Sequence, residues 1–258
     1  MKKMIITGGP TNEYIDEVMK ITNMSTGSLS LALAQEFLRG GYKVDLVLTR
    51  GISYDSLKEY EIGETLRVFP VETTEEMMNQ LQELSDEGAG IEGVIHAAAV
   101  GDYKADFTFL MEDLAKLLYE RAQLEPFTSE EEVLKLLEQG AYRIDNSSKI
   151  SSYQQNLSVK LTLTPKIIGN LRNWFPRALL VGCKLLENVE KEELYEVARK
   201  LAEKNEMDFI LANDLADLRE GKATRYLVDS VGYSGIALDT PADIFQYIHD
   251  RLSQIHPA

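Results

Sequence analysis

The chain has 258 residues, 44% of them hydrophobic, and a net charge of -15 from 42 acidic and 27 basic residues. This length accommodates one large α/β domain or two small ones. The acidic balance argues against nucleic acid or an anionic membrane as a partner, because both select basic surfaces, but it leaves room for a small anionic substrate held by a local group of Lys or Arg side chains.

Short apolar runs alternate with helix-period segments along most of the chain. Predicted strands cover 3–7, 44–49, 66–71, 94–98, 178–183 and 209–212, and predicted helices cover 29–39, 74–87, 165–174, 191–205 and 241–252. Most strand runs are continuously apolar, which is typical of strands covered on both faces. Pro165 suits the first turn of its helix. The order predicts a doubly wound, mostly parallel, Rossmann-like α/β sheet in a single domain over 1–258.

Three segments depart from this order. Residues 156–164 alternate apolar and polar side chains, which predicts a half-exposed or edge strand, and 226–230 predicts a late strand that extends the sheet. Residues 104–148 contain two acidic helix-like runs, 111–122 and 129–138, and Ser129 with Glu132 has the form of a capping box. We interpret 104–148 as a helical insertion and hypothesise that it is a lid or a dimer-contact element.

The first 27 residues carry most of the functional information. A buried strand ends at Gly8-Gly9-Pro10, and after a polar loop the run Asn23-Met24-Ser25-Thr26-Gly27 leads into the first helix. A strand that ends in a Gly pair and returns into a helix is typical of a phosphate site, because the helix N-terminus offers free N–H donors. The spacing excludes the dinucleotide fingerprint G-x-G-x-x-G, since the next Gly after Gly9 is Gly27. On spacing alone, an ordinary helix cap explains Asn23 to Gly27 equally well.

Polar residues also follow other predicted strands. His96 to Tyr103 contains Ala97, Ala98, Ala99 and Asp102. Small side chains after a strand let a ligand touch the backbone, and ligands of open α/β sheets bind at such ends. Tight packing explains the alanines as well as ligand binding does, but it explains Asp102 less well.

Lysines and a cysteine give weaker signals. Lys149 follows the polar run Asn146-Ser147-Ser148 and is suited to grasp phosphate as a point charge, although an ordinary solvated Lys is commoner. Cys183-Lys184 closes a predicted strand at its carboxyl end, and a buried structural Cys is commoner than a nucleophile. Lys200 and Lys204 share one helix face, where they either approach a polyphosphate or are solvated.

Metal-ligand spacing is absent from the sequence. The three histidines, His96, His249 and His256, are scattered, with no second His or Cys at ligand distance along the chain. We therefore predict no zinc site and assign no residue as a metal ligand.

Taken together, these segments resemble the phosphopantothenate–cysteine ligases over nearly the whole chain. The motifs that carry the resemblance are specific by their order and spacing, and they are Ile6-Thr7-Gly8-Gly9-Pro10-Thr11, Ile21-Thr22-Asn23-Met24-Ser25-Thr26-Gly27, Ala98-Ala99-Val100-Gly101-Asp102-Tyr103, Lys149-Ile150, Thr164-Pro165-Lys166-Ile167-Ile168, Val181-Gly182-Cys183-Lys184-Leu185 and Ile210-Leu211-Ala212-Asn213-Asp214. Many bacteria fuse this ligase behind a flavin-dependent decarboxylase. This chain starts at the ligase motif, so the resemblance implies the stand-alone bacterial form.

The resemblance implies an enzyme of coenzyme A biosynthesis that joins 4'-phosphopantothenate to L-cysteine through an acyl-nucleotide intermediate. It implies Mg²⁺ with CTP, or with ATP as the alternative nucleoside triphosphate, and a homodimer without a nucleic-acid or membrane partner. A single cysteine, the lack of a signal-like N-terminal stretch and the lack of an apolar run near the ~20 residues of a membrane span predict a cytoplasmic location.

The resemblance also implies roles for individual residues. Asn23 and Lys149 are implied to be catalytic. The residues implied to bind the substrate are Gly8, Gly9, Asn23, Ala98, Ala99 and Asp102. The residues implied to bind the nucleotide are Asp102, Lys149, Pro165, Lys166, Ile167, Ile168, Cys183, Lys200 and Lys204.

Two other functions remain open at this point. The opening strand–Gly–helix pattern also suits a Rossmann-type NAD(P)-binding reductase, with Asp45 as the candidate for ribose binding. An inactive binding paralogue is the other alternative. It is prompted by Met19, where the family often has Arg, and by Cys183, where the family usually has Phe.

Overall fold

The computed structural model describes residues 2–62, 64–88, 90–145, 147–232 and 235–255. Asn146 and His256, which the sequence analysis names, lie outside these ranges. The chain divides into two compact units, the first of Met1–Thr11, Asn23–Val100 and Lys166–Ala258 and the second of Asn12–Thr22 and Gly101–Pro165. The single-domain organisation over 1–258 stays a prediction.

The strands of the described residues are β1 (Lys3–Gly8), β2 (Asn12–Tyr14), β3 (Lys20–Thr22), β4 (Lys43–Thr49), β5 (Leu66–Val71), β6 (Ile91–His96), β7 (Tyr103–Leu110), β8 (Arg143–Ile144), β9 (Leu157–Leu163), β10 (Leu179–Leu186), β11 (Phe209–Asp214), β12 (Arg225–Val228) and β13 (Ile236–Leu238). The α-helices are α1 (Ser28–Arg39), α2 (Lys58–Ile62), α3 (Thr74–Asp86), α4 (Met111–Leu124), α5 (Glu130–Gln139), α6 (Leu171–Trp174), α7 (Lys191–Lys204), α8 (Leu215–Arg219) and α9 (Pro241–Ile255).

The first unit is built on an eight-stranded sheet with the order β13-β12-β11-β10-β6-β1-β4-β5. The pairs from β11 to β5 are parallel, whereas β12 and β13 are joined to the edge by antiparallel pairs. Both findings confirm the predicted fold, a mostly parallel Rossmann-like sheet with a late edge extension.

Each face of this sheet is covered by its own layer of helices. Buried side chains of α1 and α9, such as Phe37 and Ile248, form one core with Met4 and Ile6 of β1. Those of α3, α6 and α7, such as Ala198 of α7, form the other core with Ile5 of the same strand. Because successive strand residues point to opposite faces, a continuously apolar strand is required wherever both faces are buried.

Two sequence predictions need correction in this unit. The helix predicted for 165–174 is reduced to a 3₁₀ turn, Ile168–Asn170, followed by α6, so Pro165 does not lie in a first helical turn. Gly169 in the middle of the segment disfavours an α-helix by about 1 kcal/mol relative to Ala.

The strand predicted for 178–183 continues as far as Leu186, because its backbone pairs with β11 up to Asp214. Cys183 and Lys184 therefore lie inside β10 instead of closing it.

The second unit contains a three-stranded antiparallel sheet of order β8-β7-β9, the hairpin of β2 and β3, and two helices. The segment predicted as an edge strand is β9, which pairs with β7 alone and so lies at the edge of this smaller sheet. The two helices predicted for the insertion are confirmed as α4 and α5, and Ser129 caps α5 by accepting a hydrogen bond from the backbone N–H of Glu132.

In the described part of the chain, no helix combines the length and the apolar character needed to cross a membrane.

Candidate active site

The strand order of the first unit reverses between β1 and β6. From β1 the chain winds outward through β4 to β5, and it then returns to the other side of β1 with β6. Ligands of open α/β sheets bind outside the carboxyl ends of the strands at such a reversal. Gly8 and Gly9 lie at the end of β1, and Ala98 and Ala99 follow β6, so the structure brings these four predicted substrate-binding residues together. Their backbones are joined by a 2.9 Å hydrogen bond from the N–H of Ala99 to the carbonyl of Gly9.

The two ends of the loop between Gly9 and Gly27 lie close together in space. Both glycines have positive φ angles, 84° at Gly9 and 72° at Gly27, a backbone conformation that other residues adopt only with strain. A Cβ atom on Gly27 would stand 3.3 Å from the backbone nitrogen of Gly9. α1 begins directly after Gly27, and no side chain caps it among the residues described. The strand end and the helix N-terminus, which the sequence predicts to form a phosphate site, therefore lie close together, although a hairpin intervenes between them in sequence.

Asn23 is fixed on the segment that follows β6. Its Nδ2 donates hydrogen bonds to the carbonyls of Ala99 and Val100, each 3.1 Å long. These two partners settle the orientation of the amide, because a reversed amide would set its oxygen against two carbonyl oxygens. The structure thus brings the predicted catalytic residue Asn23 to the reversal point between β1 and β6.

Thr7 and His96 join β1 to β6 beneath this segment. The hydroxyl of Thr7 accepts a 3.1 Å hydrogen bond from the N–H of Ala98 and lies 2.9 Å from Nδ1 of His96. Thr7 is fully buried, so its hydroxyl hydrogen needs an acceptor, and Nδ1 of a neutral imidazole provides one. Burial lowers the pKa of His96 to about 4. His96 is therefore neutral near pH 7, with its proton on Nε2.

In the second unit, the carboxylate of Asp16 ties the β2–β3 hairpin to the segment of Lys149. It accepts hydrogen bonds from the backbone N–H groups of Val18 and Met19, and a third of 2.8 Å from the N–H of Ile150. These bonds, together with the charge of Lys149, lower the pKa of Asp16. Asp16 thus positions the backbone next to Lys149. Sequence analysis missed it, although an Asp that binds N–H groups two and three residues ahead is a common turn former.

We predict that Asp16→Asn lowers thermal stability most strongly near neutral pH. The pKa of Asp16 is lowered in the folded protein, so its ionised form contributes stability above the ordinary value of 3.8, and this contribution is lost as the pH falls through the lowered pKa. Melting curves from pH 3 to 8 should therefore show the gap between Asp16→Asn and the parent closing at the acidic end. A gap that is independent of pH would contradict this role of the carboxylate.

Also in the second unit, backbone hydrogen bonds hold Asp102 next to the segment that ends at Pro165. The carbonyl of Asp102 accepts a 3.0 Å hydrogen bond from the N–H of Thr164, and the hydroxyl of Thr164 donates to the carbonyl of Gly101. These bonds hold two predicted nucleotide-binding residues beside each other, because Pro165 directly follows Thr164.

The remaining predicted nucleotide-binding residues of the first unit are divided between the two faces of the sheet. Ile167 is buried in the core under α3, α6 and α7, and Ile168 packs against the same core, whereas Cys183 packs against the core under α1 and α9. Burial raises the pKa of Cys183 to about 12, so its thiol is neutral and is not an activated nucleophile. Lys166 is exposed.

The two predicted helix lysines lie on the last turns of α7. Lys200 is exposed and pairs with Glu196 at 2.6 Å. Lys204 is exposed and precedes Asn205, whose Oδ1 lies 3.5 Å from where a Cβ atom on Gly169 would stand. The structure therefore brings the end of α7 close to the segment after Ile168, but not to the side of the sheet that Cys183 faces.

Comparison with known proteins identifies the family. The family described as the DNA/pantothenate metabolism flavoprotein (DFP) C-terminal domain matches residues 1–137, which is more than half of the chain. The chain belongs to the DFP family.

Individual relatives of this DFP chain agree with that assignment. The coenzyme A biosynthesis bifunctional protein CoaBC of Thermococcus kodakarensis is 31% identical over 216 residues, which are 83% of this chain and 41% of the relative. The chain therefore spans about two fifths of that relative. The crystal structure of the DNA/pantothenate metabolism flavoprotein from Streptococcus pneumoniae has a TM-score of 0.74 and 25% identity, and the match covers 99% of this chain and 100% of that one.

A more distant structure shares the fold of this DFP chain. A Cab2 mutant in complex with phosphopantothenate-cysteine has a TM-score of 0.67 at 15% identity, covering 98% of this chain and 87% of that one. At this level of identity the comparison concerns the fold alone.

A metal centre in the DFP chain would need several ligating side chains close together. Among the described residues, no group of three or more His, Cys, Asp or Glu side chains could hold a metal ion. Mg²⁺ that arrives with a nucleotide needs only one or two carboxylates besides the phosphate oxygens and water.

Proposed function

We propose that this chain is a phosphopantothenate–cysteine ligase of coenzyme A biosynthesis. The observation that carries the proposal is the fixed amide of Asn23 at the reversal point between β1 and β6. Family membership supports it, as does the likeness to coenzyme A biosynthesis proteins.

The proposed reaction has two steps. The carboxylate of 4'-phosphopantothenate attacks the α-phosphorus of a nucleoside triphosphate and displaces pyrophosphate, which gives an acyl-nucleotide. The amine of L-cysteine then attacks the acyl carbon, loses a proton and displaces the nucleoside monophosphate. Mg²⁺ bound to the nucleotide would neutralise phosphate charge.

The residues of the first unit supply positioning and electrostatic stabilisation for this reaction. Gly9 and Gly27 allow phosphate oxygens to approach the backbone, and the N-terminus of α1 adds a partial positive charge. Both Nδ2 hydrogens of Asn23 are used by backbone carbonyls, so an acyl oxygen of the substrate would replace one of these carbonyls as acceptor. An amide can make this exchange without charge repulsion, whereas a carboxylate cannot.

The other assigned residues have simpler roles in the proposal. Lys149 offers a mobile point charge to phosphate, as the resemblance implies, and Asp16 restrains the backbone beside it. The neutral imidazole of His96 cannot act as a cation near pH 7, because its pKa lies near 4. We also propose that the enzyme is a cytoplasmic homodimer that uses CTP, with ATP as the alternative nucleotide.

Parallel assays with CTP and ATP test this function. The parent protein should release pyrophosphate with one of them when 4'-phosphopantothenate is present, and continued turnover should require L-cysteine. Omitting each substrate in turn is the control. No pyrophosphate release with either nucleotide would contradict the ligase and favour an inactive paralogue, and quenching of protein fluorescence by NADPH would favour a reductase.

A further inference from the structure

Arg225, the first residue of β12, has no acidic partner among the residues that the structure describes. Its Nη1 donates a 2.9 Å hydrogen bond to the carbonyl of Ala223. Its Nε is buried and has no hydrogen-bond partner, and over the described ranges no carboxylate pairs with the guanidinium. In a protein with a net charge of -15, a half-buried Arg without an acidic neighbour is unexpected.

Within the described part of the chain, no charged side chain acts on Arg225. The titratable group that acts on it is the thiol of Cys183, and burial raises the pKa of that thiol to about 12, so it carries no charge near pH 7. Burial also lowers the pKa of Arg225, as expected when a cation is removed from water without compensation. A buried guanidinium nitrogen without a partner is costly, and such a cost is expected at a binding site that is completed by its ligand.

Strand register shows which face of the sheet Arg225 occupies. Leu211 of β11 pairs with Leu227 of β12, and both belong to the core under α1 and α9. Because side chains alternate along a strand, Asn213 and Arg225, two residues away, lie on this same face at the next level towards the carboxyl end of β11. Cys183 pairs with Leu211 from the other side and packs against the same core. The thiol of Cys183 and the guanidinium of Arg225 are near enough to act on each other electrostatically.

We propose that Arg225 binds a phosphate group of a substrate at the carboxyl end of β11, on the face that α1 and α9 cover. The planar fork of an Arg matches phosphate oxygens, and a phosphate would supply both the missing acceptor and the missing negative charge. This inference rests on the proposed function, in which the nucleotide and 4'-phosphopantothenate both carry phosphate. It adds a residue that the sequence comparison did not point to.

The test compares Arg225→Met with Arg251→Met, which removes the same charge from an exposed position on α9. The KM values for the nucleotide and for 4'-phosphopantothenate are measured for each variant. Arg225→Met should raise one of them at least 10-fold, and the substrate concerned identifies the source of the phosphate. Arg251→Met should leave both unchanged. Unchanged KM values in Arg225→Met would overturn the proposal.

Melting curves give a second readout that does not depend on turnover. Without ligand, Arg225→Met should melt at a higher temperature than the parent, because an apolar side chain of similar length replaces an uncompensated charge. Inorganic pyrophosphate should raise the melting temperature of the parent and of Arg251→Met, but not that of Arg225→Met. An equal rise in all three proteins would overturn the phosphate site. If the parent lacks ligase activity but shows this pattern, the proposed function fails and the phosphate site stands.

Discussion

We expect Asn23→Asp to lower kcat about 100- to 1000-fold, the usual effect of losing one positioned donor at a developing charge. The new carboxylate would face the carbonyl oxygens of Ala99 and Val100, which now accept hydrogen bonds from Nδ2. In the proposed reaction it would also repel the carboxylate of 4'-phosphopantothenate and the phosphate of the acyl-nucleotide. The substitution therefore removes the donors and introduces a like charge at the same point.

The measurement is the rate of pyrophosphate release, followed together with formation of the cysteine adduct. Asn79→Asp makes the same chemical change at an exposed position on α3 and should leave the rate unchanged. Melting curves for both variants verify that they are folded. A normal rate in folded Asn23→Asp would remove Asn23 from the mechanism.

We expect Gly9→Ala to reduce the free energy of unfolding by about 2–4 kcal/mol, from the combined cost of a strained backbone and an overpacked site. The φ angle of Gly9 is +84°, and an added Cβ would stand 2.4 Å from Cδ1 of Ile52 and 2.5 Å from Oγ1 of Thr49. Thr49 cannot move freely, because its hydroxyl donates a 2.7 Å hydrogen bond to the carbonyl of Pro10. The added Cβ would therefore collide with a side chain that is hydrogen-bonded to the glycine turn.

Gly41→Ala separates the two causes. Gly41 has a φ angle of +82°, but an added Cβ there would meet nothing within 4 Å, so only the backbone strain of about 1 kcal/mol should remain. Urea denaturation of both variants measures the difference. Equal losses would show that crowding around Gly9 contributes nothing, whereas a larger loss in Gly9→Ala is the expected result.

Much of the main sheet could be predicted because its signal is local. The run Lys3 to Thr7 and the other parallel strands are short, apolar and separated by helical periods, and burial of both faces requires that composition. The hairpin of β2 and β3 could not be found in this way. Each of its strands has three residues, and Asn12–Tyr14 and Lys20–Thr22 are too short and too polar to show a period of two.

The same distinction holds for the candidate site. Gly9 and Ala99 could be predicted to come together, because the ends of parallel strands share one edge. The place of Asn23 in the site follows from the resemblance alone. Asp16 and Arg225 could not be predicted. Asp16 acts on Ile150, 134 residues away, and the importance of Arg225 depends on which groups are missing around it. A sequence shows neither long-range partners nor the lack of them.

Gly9 and Gly27 lie close together. The geometry of the glycine turn therefore does not depend on the length of the loop that connects these two residues. A loop whose ends are already in contact can gain or lose residues without moving those ends, and each doubling of its length costs only about 0.6 kcal/mol in closure entropy. The stretch from Thr11 to Thr22 can therefore change in length while the glycine turn keeps its shape. Asp16, which binds the backbone of Ile150, is the residue of this stretch that such a change has to preserve.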